Sequence, residues 1–258
     1  QAAPVKLNLN LASNGETMPQ DTFDAILLLA RPAAGKSEVI HYLKNTPLDL
    51  RRSRFHVAAL EEIDDFPMLW TWFEEDDLLS QMGYPRLHST PDGYFLGEHL
   101  WHLLIRRISQ EYHKRQRDID PTHPVTTLVE FARGVEHGGF RSAFEHLSAE
   151  LASHAAILYL NVSFSESLRK NRRRFNPNRP DSILEHGLSD EKMERLYKES
   201  DWMEISGGAN QGYLSIQGAR VPFVVFENED DVTTPGGEPL GRRLEDSLSR
   251  LWGLAIRR

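Results

Sequence analysis

Residues 25–38 read AILLLARPAAGKSE, an apolar run that breaks into small residues and ends in Gly35-Lys36-Ser37. Ile26 to Leu29 suit a strand buried on both faces of a parallel sheet. From Glu38 to Leu43 the chain can continue as a helix, with Val39, Ile40 and Leu43 returning to that sheet. Strand, loop and helix in this order predict a phosphate-wrapping loop (P-loop), whose pattern is Gly, four residues, then Gly-Lys-Ser or Gly-Lys-Thr. Ala30 stands where the first Gly of that pattern falls. Ala is the smallest side chain after Gly, and a loop with negative φ at that point accommodates it. Pro32 stiffens the loop and removes one N–H donor. In such a loop the N–H groups of the helix start face the phosphates, Lys36 reaches the β/γ-phosphates and Ser37 reaches Mg²⁺. The candidate nucleotide contacts are therefore Arg31, Ala33, Ala34, Gly35, Lys36, Ser37 and Glu38.

The 258 residues allow one large α/β domain or two small ones. A formal net charge of −8 argues against a broad nucleic-acid-binding surface. The chain has no cysteine, which excludes disulfides, thiolate zinc sites and a cysteine nucleophile. No apolar run approaches the ~18 residues of a transmembrane helix. The N-terminal stretch lacks a basic start and a continuous apolar segment, so it does not read as a signal peptide. It opens on Gln1 rather than Met, as a processed or trimmed chain does. A cytoplasmic location is the expectation. Asn161-Val162-Ser163 fits a glycosylation sequon but ends an apolar strand, and we read that match as accidental.

Alternating elements run the length of the chain. Residues 1–22 read as an arm or edge strand through Leu7, Leu9 and Leu11, leaving 23–258 as a single domain. Strands are expected at 25–29, 55–60, 126–131 and 156–162. A hairpin is expected across Gly218-Ala219-Arg220, between strands at 213–217 and 221–226. Helices are expected at 36–44, 68–82, 98–114, 140–153, 163–174, 189–200 and 240–254. Ser163 and Glu166 have capping-box spacing, and Ser189 is a second cap. The Gly- and Pro-rich stretch 83–97 reads as loop. Strands alternating with helices argue a mainly parallel sheet covered on both faces, with ligands beyond its carboxyl ends.

Residues able to do chemistry collect at those strand ends. The second strand leads to Asp64 and Asp65, the third carries Glu130 inside an apolar run, and the fourth leads to Arg169, Arg172, Arg173 and Arg174. Phosphoryl transfer needs cradled phosphates, a held metal, a carboxylate that orients or deprotonates the acceptor hydroxyl, and positive charge over the moving group. A buried carboxylate such as Glu130 needs a partner, which favours a metal-linked role over a core ion pair. Four arginines within six positions cover more than half the helix circumference. Arg169 and Arg173 are four apart and share a face. Trp70, Trp72 and Phe73 suit either an acceptor pocket or plain core packing. The eleven histidines show no metal-ligand spacing and read as structural or surface residues.

The order of these motifs resembles the P-loop kinases, in particular the uridine kinase and phosphoribulokinase group, over about residues 25 to 230. In that group a P-loop is followed by an Asp-Asp-Phe-like element, a Glu and an arginine-bearing lid. Here these match Ala30 to Ser37, Asp64-Asp65-Phe66, Glu130 and Arg169 to Arg174. The segment FNPNRPD is also similar to a stretch of that group, whereas Phe-Ala-Arg follows Glu130 where the group shows Gly. The resemblance implies a three-layer α/β P-loop NTPase fold with a mainly parallel five-stranded sheet and a helical lid at about 163–200. It also implies Mg-ATP as donor, GTP being the alternative nucleotide, and a small hydroxyl metabolite, nucleoside or sugar-like, as acceptor. Lys36 would neutralise β/γ charge and Ser37 would ligate Mg²⁺. Asp64 would be the acceptor base, with Asp65 the runner-up. Glu130 would organise the metal, and Arg169 and Arg173 would clamp the phosphoryl group. Asn228, after the last strand, is expected to read the nucleotide base. Two other readings share these residues: a nucleotide-binding regulator without transfer, and a hydrolase acting with a protein partner.

Overall fold

Alternation along one strand sorts the core. The six residues of β1 (Ala25–Ala30) are all buried. Ile26, Leu28 and Ala30 pack into one apolar cluster, and Ala25, Leu27 and Leu29 into a second. Successive side chains of a strand point to opposite faces, so a strand apolar at every position needs a layer on each side. The first layer comprises α1 (Lys36–Asn45), α2 (Leu48–Phe55) and α10 (Gly237–Ala255). The second comprises α4 (His99–Asp118), α5 (Gly139–His146) and α6 (Ala149–His154).

The computed structural model describes residues 21–120, 122–174, 178 and 187–258. The edge-strand reading of Leu7, Leu9 and Leu11 lies outside them, as does the FNPNRPD stretch apart from Asn178. Between the two layers runs a six-stranded sheet in the order β2-β3-β1-β4-β6-β5. Its strands are β1, β2 (Ala59–Asp64), β3 (Val125–Phe131), β4 (Ala155–Asn161), β5 (Gln211–Ile216) and β6 (Ala219–Glu227). Five are parallel, and β5 runs antiparallel to β6 across a tight turn. Gln217 and Gly218 both take positive φ there, as a two-residue hairpin turn of the primed type requires. The remaining helices are α3 (Asp65–Gln81), α7 (Phe164–Arg174), α8 (Asp190–Tyr197) and α9 (Trp202–Ile205). No helix among the described residues is long and apolar enough to cross a membrane.

The sheet therefore has six strands rather than five, the hairpin adding the sixth. The second strand starts at Ala59 instead of Phe55, because residues 48–55 are helical. The basic helix α2 is held from outside itself: the buried Arg51 guanidinium donates to the carbonyls of Leu43 and Ala58 at 3.1 and 3.0 Å. The helix expected over 140–153 is broken at Leu147, where Ser148 caps α6 by accepting from Leu151 N.

The loop 83–97 is ordered by one side chain. Asp76, fully buried on α3, accepts from the N–H groups of Leu87, His88 and Ser89 and from the Ser89 hydroxyl. Burial alone would raise its pKa, but these donors together bring it down to about 2 from 3.8. Its stabilising contribution is thus present above pH 3.8 and lost as pH falls toward 2. Asp76→Ala would leave four donors unsatisfied. We expect it to lower the unfolding free energy by roughly 2–4 kcal/mol in denaturant melts at pH 7. The loss should shrink as the pH falls toward 2.

Candidate active site

The loop after β1 keeps its shape through contacts made from below. Ala30 is an ordinary strand residue paired with Leu160, and the positive φ falls instead on Ala33 (54°) and Gly35 (110°). Ala30 itself is therefore unstrained, and the left-handed backbone falls on Ala33 and Gly35. A Cβ on Gly35 would lie 2.5 Å from Thr233 Oγ1 and 2.9 Å from Asn228 Nδ2. Asn228, fully buried, donates from Nδ2 to the Ala34 carbonyl and to Thr233 Oγ1, both at 2.8 Å. Lys170 Nζ donates to the same hydroxyl at 2.9 Å and to Asp231 at 2.6 Å. Ser167 Oγ donates to the Pro32 carbonyl. Asn228 thus buttresses the loop, and the expectation that it reads a base edge is corrected. Arg31 is also turned away: its guanidinium donates to the carbonyls of Val162, Tyr197 and Lys198. Ala34 is buried beneath the loop, whereas Ala33, Gly35, Lys36, Ser37 and Glu38 line a cleft of about 1420 Å³.

Two carboxylates face that loop from adjacent strand ends. Asp64 closes β2 in register with Glu130 of β3. Both line the cleft together with Lys36. Burial, reinforced by the Glu130 and Asp65 charges, pushes the Asp64 carboxyl up to about 8, against the Phe66 N–H and Lys36. Burial likewise raises Glu130, opposed chiefly by Lys36. Glu130 Oε2 is shut off from solvent and has no hydrogen-bond partner among the described residues. Asp65, the alternative base, is committed elsewhere. It forms a buried ion pair with Arg133 at 2.7 Å, and Arg133 also lies over the Trp101 and Phe131 rings.

Of the arginines, Arg173 and Arg174 line the cleft and Arg169 does not. Arg169 is half exposed and bonded to Glu166 and Asp231, so of the two residues on that face only Arg173 lines the cleft. Ser163 caps α7 through Glu166 N, while the Glu166 carboxylate turns to Arg169 instead of completing a capping box. The far half of the cleft is aromatic. Phe66, Trp70, Phe73, Tyr94, Phe95 and Trp101 line it, with Arg133, His137, Lys192 and Tyr197. Trp70 and Phe73 belong to the pocket, whereas Trp72 stacks on His88 outside it. His41 and His137 line the cleft, the first exposed and the second buried. Among the described residues no three His, Cys, Asp or Glu groups form a metal cage.

No family model and no curated protein matches the chain. Among solved structures it is similar to shikimate kinase from Bacteroides thetaiotaomicron, at 15% identity and a TM-score of 0.38, covering 89% of this chain and 97% of that one. No comparison places the chain in the uridine kinase and phosphoribulokinase group.

The raised Asp64 carboxyl makes a prediction about stability. Between pH 3.8 and about 8 the folded chain holds a proton that the unfolded chain releases, so stability falls as pH rises through that window. In magnesium-free buffer the melting temperature should drop by several degrees from pH 5 to 8.5. Asp64→Asn should flatten that slope and melt above the parent at pH 8.5. A parallel slope in the mutant would contradict the assignment. Gly35→Ala, which must place a Cβ against Thr233, should abolish nucleotide binding measured by calorimetry while the far-UV spectrum is retained.

Proposed function

We propose that this chain is a magnesium-dependent phosphotransferase moving the γ-phosphate of ATP or GTP to a hydroxyl of a small metabolite. The observation that carries this reading is the facing of Lys36 on the phosphate loop with the registered pair Asp64 and Glu130, at the mouth of an aromatic pocket.

The residues present fit a magnesium ion. Glu130 Oε2 is a buried oxygen lacking a partner among the described residues, and Ser37 lines the same cleft. Magnesium is held by one or two carboxylates plus substrate phosphates, not by an all-protein cage. Glu130 and Ser37 would hold it, and bound magnesium would neutralise charge developing on the phosphate oxygens.

The chain's own groups do the rest. Backbone N–H groups at the start of α1 and the Lys36 ammonium hold the donor phosphates. Asp64 accepts the proton of the acceptor hydroxyl, and its raised pKa suits a base operating near neutrality. Arg173 and Arg174 line the cleft where positive charge would spread over the transferred group. Walls from α1, α7 and α8 limit water, which competes as acceptor. A soluble cytoplasmic setting belongs to this proposal.

Transfer of labelled γ-phosphate from ATP to a pooled metabolite extract tests the reading. A labelled product should form with the parent. It should fall by roughly 10²–10³ in Lys36→Ala and by about 10²–10⁴ in Asp64→Asn, with nucleotide still bound by the latter. If Asp64→Asn turns over normally while a folded Asp65→Asn does not, the base is misassigned. Release of free phosphate alone would favour a hydrolase, and tight binding without turnover a regulator.

A further inference from the structure

The aromatic half of the cleft carries polar groups that the phosphate chemistry leaves unused. The first is His137, which is 1% exposed and stacked on Trp101 at 3.8 Å between ring centroids, with Tyr197 edge-on at 5.2 Å. Its tautomer follows from the backbone. Gly134 N–H donates to His137 Nδ1 at 3.2 Å, so that nitrogen offers a lone pair and the proton sits on Nε2. Burial, with the Arg133 charge, pushes the imidazole pKa down to about 2, which keeps it neutral. Nε2 is buried and has no hydrogen-bond partner among the described residues. A buried donor left unmade is costly, and this one belongs to a ring lining the cleft.

The second is Lys192. The other cations of this half are matched: Arg133 pairs with Asp65, and Arg195 with Glu136. Its remaining carboxylate, Glu98, lies 3.8 Å from His102. Lys192 forms no ion pair among the described residues. Its Nζ donates to the Gly93 carbonyl at 3.2 Å and lies over the Tyr94 ring.

We propose that this half of the cleft recognises a flat, anionic acceptor: aromatic walls hold its ring, His137 Nε2–H donates to a ring or carbonyl acceptor atom, and Lys192 meets its negative group. Flat apolar bodies suit aromatic walls, and a few placed polar groups fix orientation. The inference deepens the phosphotransferase reading and rests on it, so MgATP binding serves as the internal control.

The test is calorimetric titration of the full chain, with and without MgATP. The probes are ring compounds bearing a primary hydroxyl, each prepared as amide, carboxylate and phosphate monoester. Either anion should bind at least roughly ten-fold tighter than the amide. Lys192→Met should erase that difference and Lys192→Arg restore it. His137→Phe keeps the stack and should weaken every member roughly ten-fold without changing MgATP affinity. Nitrogen-15 spectra of the parent guard against a misfolded variant: they should show a neutral ring protonated at Nε2, with a resonance that moves on ligand addition. Equal binding of amide and anions, binding of no member, or an unmoved Nε2 resonance at saturation would overturn the proposal. Failure of MgATP to bind would instead overturn the phosphotransferase reading, with the titration of the free protein still testing the pocket.

Discussion

The shape of the loop after β1 depends on the fully buried amide of Asn228. One Nδ2 group donates both to a loop carbonyl and to the Thr233 hydroxyl, which in turn accepts from Lys170. Gly35 sits directly above this cluster and takes a φ of 110° that side chains other than glycine adopt only at a cost. The loop is thus shaped by residues almost two hundred positions away. Its backbone need not find its form alone, which explains why Ala30 and Pro32 are tolerated.

A second constraint is the pairing of β2 with β3. Register sets Asp64 beside Glu130 at the carboxyl edge of the sheet, where burial raises both carboxyls and the Glu130 charge raises Asp64 further, while Lys36 opposes the rise. Asp65, one residue on, also lines the cleft but is tied into the buried Arg133 pair.

Much of the fold was legible because its signals are local. The apolar run of β1, the small-residue loop and the apolar face of α1 define a strand-loop-helix unit by period alone. Burial of β1 on both faces then required two helical layers, and two are present. The second strand was misplaced because Phe55 and Val57 resemble strand residues, whereas α2 is held by Arg51 reaching the Leu43 and Ala58 carbonyls on either side of the helix. Arg169 and Arg173 share a helix face in sequence, yet Glu166 and Asp231 hold the first outward. Asn228 and Arg31 stand near the loop by topology, but their hydrogen-bond partners are set by packing.

The sequence by itself determined the α/β class, the strand-loop-helix unit that carries Lys36 and Ser37, and the collection of acids and arginines at strand ends. Period and spacing carry those features, and both are properties of neighbouring residues. Tertiary structure decided that Asp64 stands beside Glu130 while Asp65 pairs with Arg133, that Arg173 and Arg174 line the cleft and Arg169 does not, and that His137 stacks on Trp101. Those outcomes depend on register between strands and on partners far apart in the chain, where a shift of one residue turns a side chain to the opposite face.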